Sequence, residues 1–382
     1  MRVPREQFTN ETSEPLGKDL RANPCRETGA GGLCPPYANC FKRQVLYLER
    51  NNLNAGVIMH KRIVFLLALL LASASALPAA HAVELRICRQ AGISYLPLLV
   101  IEEQKLLEKN AAKAGIKNFT VTWTELSGGA AVNEALLSES VDLISGGVPP
   151  FLRLWDKTQG RVKIVAVLSG LPVLLTTSKT DVKSITDFTA NDKIAVPSLK
   201  VSLQALLLQM AVAKQYGIEN FHKLDNLTVQ MKHADAYIAL TSGKSEITAH
   251  FASEPFATRE LRAGLHTVLN SYDLLGPTVS QVLSGSQKFY EKHPEIFRLV
   301  NKTVNEASQW IHANKKQAAE LYLRVEKSKE SLDLVLAILE NPQATFLAKP
   351  EGAADYADFM HAIKAIKTKP ASWKDLYFQL PE

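Results

Sequence analysis

Serine, glycine, histidine and carboxylate residues recur in this chain where a β-type run gives way to a helix start. Ser94 and Tyr95, Ser127, Gly128 and Gly129, then Gly146, Gly147 and Val148, then Ser169, follow apolar runs in turn. Further on, Lys200, Val201 and Ser202, His233 and Asp235, and His250 and Glu254 stand in comparable places. A helix start leaves backbone N–H groups unpaired and carries a partial positive charge, so it suits an anionic or polar ligand. Glycines admit close backbone approach, and seryl hydroxyls donate hydrogen bonds. These sixteen positions are therefore the candidate ligand-binding set. The competing account is that the glycines serve turn geometry alone, and for any single glycine it is the simpler one.

Individual side chains carry the same two readings. Tyr95 can stack on a ligand or pack the lobe. Lys200 can neutralise an anion or stand solvated at a strand end. Glu254 is either a ligand contact or a helix-start carboxylate favourable to the dipole. His233 and His250 invite a metal reading, but they lie on different strands with no His, Cys or Asp partner at ligand spacing, so no metal is expected. Gly-x-Ser-x-Gly, Walker, dinucleotide-binding and HExxH patterns are absent from the sequence, so no catalytic residue and no cofactor is assigned.

The elements that must hold these turns alternate. Strands are expected at 85–88, 119–124, 141–145, 162–168 and 172–177, with helices at 96–110 and 130–138 and another starting at 151. A second series has strands at 193–196, 227–231, 247–251 and 266–270, with helices at 203–216 and 236–242, before a last strand at 278–284. Residues 286–382 read as almost wholly helical, with Trp310, Tyr322 and Val335 on apolar stripes. Strand–helix alternation implies mostly parallel sheets with right-handed crossovers. In such sheets ligands sit beyond the carboxyl ends of the strands, where the candidate turns lie.

Residues 1–58 show no useful periodicity and are expected to be disordered, or to precede the true start at Met59. Residues 59–82 then combine a basic start (Lys61, Arg62), an apolar run of ten residues (63–72) and a small-x-small ending (Ala80, Ala82). That is the pattern of a Sec-type export signal, and the run is too short for a bilayer, which takes about 20 residues. Of 44 basic and 38 acidic side chains, ten and six precede residue 83, leaving 34 and 32 in the body. A body so near neutrality argues against nucleic acid as a partner. Cys88, alone in the body, reads as a buried structural thiol.

The run from Asp181 to Gln204 contains Lys183, Ser184, Ile185 and Asp187, then Lys193, Ile194, Ala195, Val196 and Pro197 before a serine-bearing helix start. In this order the landmarks resemble periplasmic solute-binding proteins of the nitrate, sulfonate and taurine type, which are similar to the thiamin-pyrimidine-precursor binders. The resemblance extends from about Val83 to Glu382, and Glu254 with Pro255 looks like a Glu-Pro pair of the family's second lobe. It implies an α/β, two-lobe (type II) periplasmic-binding-protein fold with two crossover strands as hinge, and the crossings are expected near Thr176–Thr177 and His266–Asn270. Lobe 1 would comprise 83–177 and 271–382, and lobe 2 would comprise 178–270. It further implies a monomer that captures a small-molecule solute, polar or anionic, in the periplasm and passes it to an ABC permease of the inner membrane. The alternative is an enzyme of thiamin-pyrimidine or related metabolism on the same scaffold, against which the export signal and single body cysteine count. Gly243 to Ile247 replace the family's Gly-x-x-Asp-Ala, and a ring of arginines for a sulfonate is missing from the turns. Solute identity is left open by both departures.

Overall fold

The first strand, β1 (Val83–Arg89), shows how alternation sets the architecture. Leu85 and Ile87 enter one hydrophobic cluster while Cys88, the next residue along, enters another on the opposite face. The computed structural model describes residues 83–126 and 129–380, within a compact unit spanning Ala79–Glu382. The expected extension (1–58) and export signal (59–82) lie outside the described residues, as do Ser127 and Gly128.

After β1 come α1 (Leu96–Gln104), α2 (Leu106–Lys113), β2 (Phe119–Glu125), α3 (Gly129–Leu137), β3 (Leu143–Gly147), α4 (Val148–Lys157) and β4 (Val162–Ser169). The helix expected over 96–110 is thus two, because Lys105 takes a left-handed conformation (φ 51°) that ends α1 and starts α2 at a new angle. Pro149 and Pro150 open α4, where the missing proline N–H costs nothing. The chain then enters β5 (Leu174–Thr177), β6 (Ile194–Val196), α5 (Leu203–Tyr216), β7 (Thr228–Gln230), α6 (His233–Ser242), β8 (Ala249–Ala252), α7 (Phe256–Arg262) and β9 (His266–Asn270). A short α8 (Ser271–Leu275) leads back to β10 (Gln281–Ser286). The remainder is helical: α9 (Gln287–Lys292), α10 (Pro294–Ala313), α11 (Lys315–Val325), α12 (Leu332–Glu340) and α13 (Ala353–Ala362).

Two five-stranded sheets result, ordered β2-β1-β3-β10-β4 and β7-β6-β8-β5-β9. Each has four strands running one way and a single antiparallel strand in the fourth place, β10 in the first and β5 in the second. The two sheets therefore share one plan. The chain leaves the first sheet after Ser169 and joins the second at Leu174, so the expected crossover at Thr176 and Thr177 is a member of the second sheet. Likewise His266–Asn270, read as the return crossover, is an edge strand, and the return passage is 271–280.

Helices cover both faces of the first sheet. Ile144, Ile164 and Val282 meet α3, α4 and α13 on one side; Leu143, Val165 and Leu283 meet α1, α10 and α11 on the other. The first of these cores continues through Val173 and Val279 into the second sheet, at Leu175, Ile194 and Phe251. Cys88 is buried and unpaired in this cluster, and Tyr322 and Val335 are buried in the other. No helix of the described residues is long and apolar enough to cross a membrane.

The two passages run against one another. Ser280 N–H and Oγ–H both donate to the Ser169 carbonyl (2.8 and 3.1 Å), while at the other end Ser271 N–H donates to Val173 O (3.0 Å) and Val173 N–H to Ser271 Oγ (2.9 Å). Gly170 lies in this seam, where a Cβ would collide with the Thr278 carbonyl oxygen and stand 2.9 Å from Ala348 Cβ. Gly170→Ala is therefore expected to destabilise the protein by about 1–3 kcal/mol, the usual cost of overpacking. A denaturant melt would read this as a lower midpoint with unchanged slope.

Candidate functional site

In the first lobe the strand-end turns build a floor of backbone and amide groups. Ser145, fully buried, uses its hydroxyl to accept from Gln90 N–H (3.0 Å), and its carbonyl accepts from Gln90 Nε2 (3.0 Å). Gly146 and Gly147 end β3 beside it, and Gly147 caps α4. A Cβ on Gly147 would lie 3.6 Å from Pro150 and 3.7 Å from Gln281 Oε1, and one on Gly146 would lie 3.6 Å from Gln90 Nε2. Tyr95 is buried and donates its hydroxyl proton to Gln281 Oε1 (2.9 Å), which fixes that amide next to Gly147. Burial pushes the Tyr95 phenol well above its ordinary range, so it stays a donor.

Other candidates in this lobe serve the frame. Val148 is fully buried and its N–H donates to Ser280 O (3.2 Å). Ser169 is fully buried in the seam against Ser280. Gly129 permits α3 to meet α4, since a Cβ there would lie 2.9 Å from Pro150 Cβ. Ser94 is half-buried in a short 3-10 turn before α1.

The second lobe holds a feature that the sequence concealed. His233 Nδ1 and His250 Nε2 are 2.8 Å apart, and His250 Nδ1 lies 2.6 Å from Glu260 Oε1. Thr176 Oγ1 donates to the other Glu260 oxygen. At the opposite end, Gln204 Nε2 is 3.4 Å from His233 Nε2 and donates to Ser253 Oγ (2.7 Å). A continuous polar chain thus runs from Thr176 on β5 through Glu260 on α7, His250 on β8 and His233 on α6 to Gln204 on α5 and Ser253. Thr176, His250 and Glu260 are fully buried, and the His233 ring stacks on Phe256 (5.8 Å between centroids).

Proton positions follow from the carboxyl end. Glu260 accepts from His250 Nδ1–H, and in the tautomer that leaves His250 Nε2 its lone pair, that nitrogen accepts from His233 Nδ1–H. His233 Nε2 is then an acceptor turned to the Gln204 amide. Burial pulls the His233 pKa down from 6.5 to about 3, which keeps this ring neutral. Both Gln204 N–H groups are occupied, while Ser253 keeps its own O–H to donate. The arrangement can hold an acceptor group beside an aromatic face, and it can pass a proton inward. Among the described residues no group of three or more His, Cys, Asp or Glu is placed to hold a metal ion.

The remaining candidates diverge. Ser202 caps α5, accepting from Ala205 N–H (3.2 Å) and donating to Ser198 O (2.8 Å), so its hydroxyl is already engaged. Lys200 and Val201 are exposed, Lys200 in a left-handed conformation (φ 60°). Asp235 is exposed in the first turn of α6, which begins at His233, three residues ahead of the expected start. Glu254 turns back on its own helix: its carboxyl oxygens accept from Thr258 N–H (3.1 Å) and Thr258 Oγ1–H (3.0 Å). Burial raises its pKa to about 7, and repulsion from Glu260 adds to this.

Two α/β lobes of one strand plan, joined by paired passages and bearing glycine- and hydroxyl-rich turns at the strand ends, make this a protein of the two-lobe periplasmic-binding-protein fold. The chain belongs to the NMT1-like family, whose model matches residues 79–326. Among solved structures it is similar to the periplasmic aliphatic sulphonate-binding protein SsuA from Escherichia coli, at 21% identity and a TM-score of 0.61 over 78% of this chain and 99% of that one. The alkanesulfonate-binding protein SsuA from Xanthomonas axonopodis pv. citri, solved bound to MOPS, matches at 19% and 0.60 over 77% and 98%. The nitrate-binding protein NrtA from Synechocystis PCC 6803 matches at 14% and 0.57 over 74% and 81%. No curated protein sequence matches significantly.

The two perturbed groups give opposite pH signatures. Between pH 6.5 and about 3 the unfolded chain binds a proton that folded His233 refuses, so this residue's contribution is present above pH 6.5 and fades as pH falls. Between pH 4.5 and about 7 folded Glu254 holds a proton that the unfolded chain has released, so its contribution is full below pH 4.5 and lost as pH rises through 7. His233→Gln is expected to flatten the acid limb of a melting-temperature profile. Glu254→Gln is expected to stabilise by roughly 3 kcal/mol at pH 8 and by nothing measurable at pH 4.5. Equal melting shifts at both pH values would contradict the Glu254 assignment.

Proposed function

We propose that this protein is the extracytoplasmic solute-binding component of an ABC importer. It captures a small polar or anionic organic solute between its lobes, in the nitrate, sulfonate and taurine range of chemistry. The observation that carries this reading is that each sheet ends in donor-bearing turns, while the chain passes between the sheets twice. Gly146, Gly147 and the Tyr95-held Gln281 amide supply one jaw; Gln204, Ser253 and the neutral His233 ring supply the other. A solute touching both jaws favours the closed state by its extra contacts there, and one touching a single jaw does not. Residues 59–82 direct export, the periplasm is the working compartment, and the liganded protein acts as a monomer on an inner-membrane permease.

A second reading rests on the Glu260–His250–His233 chain, since a carboxyl-oriented histidine is what general-base chemistry uses. It makes the protein an enzyme of pyrimidine or related metabolism. Mass analysis of any bound compound after prolonged incubation separates the two: recovery unchanged favours binding, and conversion favours the enzyme.

A thermal-shift screen of the full chain against nitrate, taurine, alkanesulfonates, aromatic acids and pyrimidines is expected to yield one stabilising class. The gain should be about 2.7 kcal/mol at a hundredfold excess over Kd. Gly147→Val, which fills the space above the α4 start, is expected to remove that shift while leaving the ligand-free melt within a few degrees of wild type. No shift from any class, or an undiminished shift in Gly147→Val, counts against the cleft.

A further inference from the structure

Arg153, on the second turn of α4, is half-buried and carries a charge that no acid in the described residues neutralises within ion-pair distance. Its Nη2 donates to Lys200 O in the second lobe (2.8 Å) and its Nη1 to Ala365 O in the first (3.3 Å). Its Nε is buried with no hydrogen-bond partner. Two carbonyls hold the guanidinium in place but leave its positive charge uncompensated, an arrangement that favours an incoming anion.

The guanidinium lines a groove of about 940 Å³ running between the α4 and α13 side of the first lobe and the outer flank of α5. Lys200 and Lys223 add two cations from the second lobe. The single carboxylate there, Asp225, is already occupied by the Gln209 amide at 2.9 and 3.0 Å. Phe221 and Ile363 supply apolar wall. Of the sixteen strand-end candidates only Lys200 borders this groove, so it is separate from the cleft between the turns.

We propose that the groove is a second ligand site, for an organic oxyanion. Its charged head pairs with Arg153 and the two lysines, and its apolar or aromatic body lies along Phe221 and Ile363. Arg153 belongs to one lobe and both lysines to the other, so the bound anion spans the lobes. A volume in the range of small-molecule pockets accommodates a body of this kind as well as the head.

The test uses the full chain and three probes at constant ionic strength: phenyl phosphate, inorganic phosphate as head alone, and benzyl alcohol as body alone. Saturable stabilisation is expected from phenyl phosphate, weaker stabilisation from phosphate and none from benzyl alcohol. Arg153→Gln is expected to weaken phenyl phosphate binding by about 10- to 100-fold, in line with loss of a charged hydrogen-bond pair. Lys223→Gln removes a charge without touching either Arg153 hydrogen bond, and should weaken it several-fold even if Arg153→Gln disturbs folding. Gly147→Val should leave it unchanged. The proposal is overturned if phenyl phosphate gives no saturable shift, if benzyl alcohol shifts the melt equally, or if both charge variants bind as wild type does. A shift that vanishes in Gly147→Val places the anion in the cleft and also overturns it. Failure here leaves the solute screen untouched, because that screen depends on Gly147 and not on Arg153.

Discussion

The seam at Ser169–Val173 and Ser271–Ser280 is the constraint on which the rest depends. Two strands of chain cross from one sheet to the other side by side, bonded to each other at both ends. Gly170 lets them approach, and Val173 and Val279 make the hydrophobic core continuous across them. Because the passages are tied, the lobes share one pivot. A tied pair of passages is the kind of shared line about which hinge closure acts. Ion pairs from α7 to the segment before and within α12, Arg259–Glu330 (3.1 Å) and Arg262–Asp333 (2.9 Å), also join the lobes. These are partly solvated, so they contribute little and can be exchanged as the lobes move.

The polar chain from Thr176 to Ser253 shows how burial assigns roles. Its carboxyl end is dry and fixed, its far end passes from buried Gln204 to half-exposed Ser253, and the two imidazoles link them. The partly exposed His233 is thereby oriented by groups buried deeper in the lobe. The first lobe uses the same device: Tyr95 holds Gln281 from beneath.

Much of the frame was legible in the sequence. Ser202 and the apolar run after it gave α5 over 203–216, and the extended run 266–270 matches β9 at its observed bounds, though as an edge strand and not the crossover. What escaped is tertiary. Nothing in the short apolar run before Thr177 says which sheet it joins, because β-propensity reports a pleated, half-buried surface and not a partner. His233 and His250 stand 17 residues apart, and Glu260 another ten, so their contact appears only once α6, β8 and α7 pack. Arg153 is a polar position in a mostly apolar helix; its lack of a counter-charge is visible only when Lys200 and Ala365 arrive from distant segments. Several strand-end residues that were expected to meet ligand, Ser169, Val148 and Ser202, instead spend their polar groups on the frame.

The strand order also fixes what can be complete as the polypeptide emerges from the ribosome. The second sheet draws all its strands from one contiguous stretch, Leu174–Asn270. The first sheet has a gap between β3 and β4 that only β10 can fill, and β10 is synthesised after the whole second sheet. Until then two strand edges in the middle of the first sheet stand unpaired, a state in which nascent chains are prone to wrong partners. The later-numbered lobe is thus the one able to close first, and the earlier one must wait open for its last strand.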